Sequence, residues 1–242
     1  MLLGCASAFA AALEDPLQSP QWTLLHRTFL DGEPVVFDAR VRVLAPTTAE
    51  NAMAVPVWFD ARDIGPVERI IVLADLNPLP KVLTFIPGEA EPRLGFKFKV
   101  QQATPLRVAA RTEDGVWHVG GHWIDAAGGG CTAPSIADGN ADWAERLGEL
   151  RGRIWNRPSG GQRLRFAFMH PMDTGLADGI PAFYLERIRV LNTHDRTIAE
   201  IQPLEPVAEN PLFTLDFPQA SAALRLMGRD NNGQLFAGRI EP

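Results

Sequence analysis

The residues whose types and spacing could do chemistry are Cys131, the pair His118 and His122, and the pair His170 and Met172. Cys131 follows Gly128-Gly129-Gly130 and precedes Thr132-Ala133-Pro134. Three successive glycines oppose regular structure, because ordering each one costs backbone entropy. The thiol is therefore expected on an exposed, mobile loop. No Lys, Arg or His lies between Gly128 and Ser135, so nothing local lowers its pKa from about 8.5. A thiol of that kind is a weak nucleophile by itself, and it suits a group that other proteins load and unload. A second chemistry would make it a thiol enzyme with His118 or His122 as base. A third is metal binding. On one strand, His118 and His122 share a face about 13 Å apart, too far for one metal unless Gly120-Gly121 bulges. His170 and Met172 could join Cys131 as soft copper ligands, although Pro171 and Thr174-Gly175 read as turn chemistry. No Walker, GxSxG, HExxH or dinucleotide motif is present, and no cofactor or metal is expected.

The elements that must position these groups are mostly strands. The chain has 242 residues, 46% hydrophobic, with 20 prolines and 21 glycines as punctuation. Apolar and polar residues alternate from Pro34 to Arg42, through Val55, Val57 and Phe59, and again through Leu94, Phe96, Phe98 and Val100, where Lys97, Lys99 and Gln101 form the polar side. Arg69 to Ala74 is a continuous apolar run. Arg107 to Arg111 and Val116 to Ile124 are joined across Glu113-Asp114-Gly115, a hairpin signal. The texture changes at 125–140, which is glycine-rich. The one convincing helix is expected over Asp142 to Trp155, with Trp143, Leu147, Leu150 and Ile154 on one side. Strands resume at Arg163, continue through Phe183 to Leu191, and end in a pair joined by Asp230-Asn231-Asn232-Gly233. The expected fold is all-β: two sandwich modules at 15–131 and 161–242, joined over 132–160 by the glycine-rich loop and a short helix.

The net charge of −6 gives no footprint for nucleic acid, and no stretch is apolar enough to insert in a membrane. Residues 1–14 read as the remnant of an export signal, with Ala8-Phe9-Ala10 as a small-x-small cleavage pattern. Cleavage near Ala10 would remove Cys5 and leave Cys131 as the sole thiol, either paired between chains or kept reactive.

Asn77-Pro78-Leu79-Pro80 with Phe85, followed by strands ending in a glycine-flanked cysteine, resembles SoxY, the sulfur-carrier subunit of the thiosulfate-oxidising Sox system. His170-Pro171-Met172-Asp173-Thr174-Gly175, Ile180-Pro181-Ala182-Phe183-Tyr184, Glu209-Asn210-Pro211 and Asp230-Asn231-Asn232-Gly233 resemble its partner SoxZ. Both in one polypeptide is similar to the fused SoxYZ-like carriers associated with quinoprotein dehydrogenases. The resemblance implies an immunoglobulin-like sandwich for each half and a periplasmic carrier rather than an enzyme. It implies Cys131 as the attachment site of a covalent intermediate, on a loop of Gly128, Gly129, Gly130 and Thr132. The implied partners are periplasmic redox enzymes, a quinoprotein dehydrogenase or a c-type cytochrome system. The sequence departs from the Sox carrier in one respect: its cysteine loop continues into another domain, so the arm is tethered at both ends. The two halves are expected to pack together through their sheets.

Overall fold

The computed structural model describes residues 14–135, 143–221 and 223–242. The export remnant, apart from Glu14, lies outside the described residues. The short β-branched and aromatic runs form strands in the order β1 (Val35–Phe37), β2 (Arg42–Leu44), β3 (Val55–Asp60), β4 (Val67–Ala74), β5 (Lys81–Ile86), β6 (Arg93–Phe98), β7 (Thr104–Thr112) and β8 (Trp117–Ile124). The second half contributes β9 (Leu150–Asn156), β10 (Gln162–Phe168), β11 (Leu185–Leu191), β12 (Thr197–Pro203), β13 (Leu212–Phe217), β14 (Leu224–Asp230) and β15 (Leu235–Ile240). A single α-helix, α1 (Trp22–Phe29), precedes them among the described residues.

The strands make two sheets, one of nine in the order β1-β8-β7-β4-β5-β12-β11-β14-β15, the other of six in the order β2-β3-β6-β13-β10-β9. Both are continuous across the two halves. In the larger sheet β5 pairs with β12, setting Phe85 opposite Ile201; in the smaller, β6 pairs with β13, setting Gly95 opposite Thr214. The two halves thus join edge to edge in both layers. One core runs through both, from Phe59, Phe85 and Phe98 to Phe166, Phe168 and Phe213. The seam closes four strand edges that separate halves would expose.

Three local expectations change. The alternating run from Pro34 to Arg42 breaks into β1 and β2, in different sheets. Asp38 causes the break: its side chain accepts from the Arg40 N–H at 2.9 Å and its carbonyl accepts from the Val41 N–H. The helix expected over Asp142 to Trp155 does not form in its described part. Residues 143–148 are turn, and Leu150–Asn156 is an edge strand against β10. Gly148 at φ +77 and Gly152, fitted close against Ile240 and β10, explain why pairing overrides the helical spacing. The helix that does form, α1, covers the outer face of the larger sheet, burying Trp22 and Leu25 against Ile71, Leu73 and Trp117. That cover accounts for the uninterrupted apolar run of β4, which is buried on both faces.

Candidate functional site

Cys131 is fully buried, which overturns the exposed, mobile loop expected from its glycines. The glycines permit a tight turn here, and hydrogen bonds fix it. Gly128 and Gly129 take left-handed backbone angles of +101° and +86°. The Gly129 and Gly130 N–H groups then donate to the carbonyls of Gln101 and Val100, at 3.2 and 2.9 Å. Gly130 has no room for a side chain, since a Cβ would lie 2.0 Å from the Ala52 carbonyl oxygen. Next, the Cys131 N–H donates to Gln101 Oε1 at 3.1 Å, while exposed Thr132 sits against the same Gln101 side chain.

The floor of the site is the segment that follows β6. Lys99, expected on a polar strand face, is buried together with its neighbours Phe98 and Val100. Asn77 holds this segment: its Nδ2 donates to the Lys99 carbonyl at 2.8 Å and its Oδ1 accepts from the Gln101 N–H at 2.9 Å. The Asn77-Pro78-Leu79-Pro80 motif therefore builds the bed on which the cysteine loop lies. The Cys131 thiol faces the Lys99 carbonyl, Sγ to O 3.7 Å.

The roof comes from the second half. Thr174 donates its hydroxyl to the Cys131 carbonyl, Asp173 accepts from the Ser135 N–H at 3.3 Å, and Lys99 Nζ donates to the Met172 carbonyl. Met172, in a left-handed conformation at φ +54, aims its carbonyl at that lysine and its sulfur at the Leu185 N–H, 3.3 Å away. The remaining second-half motifs support this roof. Asn210 exchanges two hydrogen bonds with the His170 backbone, Phe183 packs at a tilt against the His170 ring with centroids 4.4 Å apart, and Asn231 binds Tyr184 N–H and the Ala182 carbonyl. Four separated sequence motifs converge on one loop that covers one thiol.

Burial sets the electrostatics. It pushes the Cys131 thiol up to about 11, against the pull of the Lys99 ammonium. Burial likewise lowers the Lys99 pKa, and Asp173 opposes that shift most. The His170 imidazole is driven down to about 3 by burial and by Lys99, so it is neutral. In this state the sulfur is protonated, shielded and unreactive. The thiol-enzyme chemistry has no geometric support. His118 Nδ1 is bound to Asp38 at 2.8 Å, and among the described residues no histidine is a hydrogen-bond partner of Cys131. Gly120-Gly121 forms no bulge, because β8 keeps register with β7 through both glycines. Gly120 serves instead for close approach, since a Cβ there would meet the Val41 carbonyl oxygen at 1.9 Å. Met172 and His170 are engaged elsewhere, the Met172 sulfur accepting from the Leu185 N–H and His170 Nδ1 from the Met172 N–H. Among the described residues no group of three or more His, Cys, Asp or Glu is placed to hold a metal.

Sequence reasoning missed Lys99, Gln101 and Thr174 as partners of Cys131. The available signal was the coincidence of two polar turn motifs with nothing of their own to bind, Asn77-Pro78-Leu79-Pro80 and His170–Gly175.

Residues 26–131 match the family model "Sulfur oxidation protein SoxY", which ends on Cys131, and residues 156–241 match "Sulphur oxidation protein SoxZ". No curated protein matches the chain. Among solved structures, the sulfur carrier protein SoxY from Chlorobium limicola f thiosulfatophilum is 18% identical, covering 44% of this chain and 96% of its own, with a TM-score of 0.39. A β-glycosidase from Bacteroides vulgatus is 10% identical over 86% of this chain and 25% of its own, TM-score 0.23. A tetra-tandem repeat from the extending region of a large adhesion protein is 11% identical over 83% and 47%, TM-score 0.25. With a SoxY-matching half, a SoxZ-matching half and two sheets that run through both, the chain belongs to the SoxYZ sulfur-oxidation carriers, the two subunits being fused here in one polypeptide.

Proposed function

We propose that this fused carrier works in the periplasm, that Cys131 is its covalent attachment point, and that the buried thiol is a resting state. The observation that carries the reading is the placement of Cys131 between the two halves, at the last residue of the SoxY match and under the His170–Thr174 roof. A thiol that must survive transit between enzymes benefits from being protonated and covered when unloaded. Loading requires the roof to lift, which raises thiolate content and gives a partner access. Attachment of a sulfur anion then forms an S–S bond: the thiol and the anion join with loss of one proton and two electrons. The electrons pass to a partner redox protein, a c-type cytochrome or a quinoprotein dehydrogenase. The chain supplies position and protection, and the partners supply the chemistry. The small-x-small pattern at Ala8-Phe9-Ala10 supports export.

Intact-mass and peptide mapping of the protein recovered from a periplasmic fraction of cells oxidising thiosulfate tests this reading. An adduct on Cys131 is expected, absent in Cys131→Ser. A thiol that is always bare, or a protein confined to the cytoplasmic fraction, would sink it.

A further inference from the structure

The outer face of the six-stranded sheet carries two kinds of charge in adjacent rows. In the first row every charge is answered. Asp216, fully buried, binds Arg163 at 2.6 Å and Arg93 at 3.0 Å, and Arg42, Arg62 and Arg93 surround Asp60. In the next row Arg165 of β10 stands directly opposite Arg153 of β9, and both are exposed. Like charges directly opposed across a strand pair destabilise it. Neither arginine makes an ion pair or a side-chain hydrogen bond among the described residues, and exposed Lys97 nearby has none either. Arg151 shares its one carboxylate, Glu149, with Arg146.

Arg151, Arg153 and Arg165 line a groove of about 650 Å³ with the half-buried Trp155 and Leu212 as its apolar floor. A second groove continues it to Trp58, and a third runs from Arg151 to Asn210, which hydrogen-bonds the loop covering Cys131. From β3 to β9 the face spans about 19 Å at about 4.8 Å per strand, wider than any small anion. Arginine and tryptophan around an apolar centre is the composition that dominates protein–protein binding energy.

We propose that this face is a docking surface for an acidic protein partner, whose carboxylates take the positions opposite Arg153 and Arg165. The retained repulsion between the two arginines is relieved only when a negative partner arrives, which makes docking selective for charge and sensitive to salt. A polynucleotide is disfavoured by the net charge of −6 and by the carboxylates Asp60 and Asp216 in the adjoining row. The proposal is independent of what Cys131 carries.

The test is a titration of the isotope-labelled chain with poly-L-glutamate at low salt, followed by amide shifts. Shifts should concentrate on β9, β10 and β13, and affinity should fall about tenfold in the Arg153→Ala/Arg165→Ala double variant. The thermal midpoint of that variant should stay level or rise, because a repulsion has been removed. A fall in the midpoint would assign the arginines a structural role and overturn the proposal. So would shifts elsewhere, affinity unchanged in the double variant, or equal or tighter binding of sulfate or of a single-stranded oligonucleotide. A salt-sensitive self-dimer abolished by the double variant would equally overturn it, by naming a second copy as the occupant.

Discussion

Thr174 of the second half donates its hydroxyl to the backbone carbonyl of Cys131 at 2.5 Å. This bond ties the roof to the residue it covers, and it belongs to a short list of contacts that release of the thiol must break. The others are the Cys131 N–H to Gln101, the Ser135 N–H to Asp173 and the Lys99 ammonium to the Met172 carbonyl.

Replacing Thr174 by Val keeps shape and removes the bond. A buried neutral hydrogen bond contributes about 1 kcal/mol net, so alkylation of Cys131 by a maleimide should quicken roughly fivefold. The rate, followed by intact mass under native conditions, checks this; an unchanged rate would remove Thr174 as a latch.

Gly130→Ala should unseat the loop. The added methyl meets the backbone oxygens of Ala52 at 2.0 Å and Val100 at 2.7 Å, neither of which can swing aside. Overpacking of this kind costs about 1–3 kcal/mol, so labelling of Cys131 should rise on the order of tenfold or more. Gly129→Ala has open space but a left-handed φ of +86, with a cost of about 1 kcal/mol, and should label distinctly less. Equal labelling in the two variants would contradict the steric account.

The buried thiol makes stability fall in alkali. Its folded pKa of about 11 exceeds the unfolded value near 8.5, so the folded state holds the proton more tightly. The contribution is fully present below about pH 8.5 and is lost as pH rises toward 11, an effect on the order of 3 kcal/mol. Denaturant unfolding at pH 7.5 and 10.5 should show this loss in the parent and a smaller one in Cys131→Ala. His170 acts at the other end. Its folded pKa near 3 lies below the ordinary 6.5, so its contribution is present above 6.5 and lost on acidification toward 3. His170→Gln should flatten the acid limb; an acid limb as steep as the parent's would rule out His170 as its source.

Separated halves, residues 14–135 and 143–242, should each lose cooperative unfolding and recover it when mixed. Each would expose two strand edges from the seams β5–β12 and β6–β13 and half of the shared core. Two independently cooperative domains by calorimetry would show that the common core adds nothing.

The strands of this fold are legible in the sequence wherever alternation is clean, as in β3, β6 and the closing hairpin of β14 and β15. Its Asp230 accepts from the backbone of Asn232 and Gln234, and Gly233 supplies the left-handed turn. Legibility ends where partners distant in sequence decide. Leu150 to Asn156 carries helical spacing, yet β10 offers it a ladder. Arg107 is buried against Trp22 by Asp15 and Asp75, contacts no local pattern announces. The site failed for the same reason. The glycines before Cys131 read as freedom, but the hydrogen bonds that use them come from Val100 and Gln101, and the cover comes from more than forty residues downstream.

The two seams have a consequence for inheritance between molecules. Subunits on separate chains can part and exchange partners, so a loaded one can meet a lid it did not arrive with. Here lid and sulfur sit on one polypeptide, stitched by main-chain ladders in both layers. On the proposed reading, each molecule keeps its own custodian, and lifting the roof over Cys131 is a step within one chain rather than an exchange between chains.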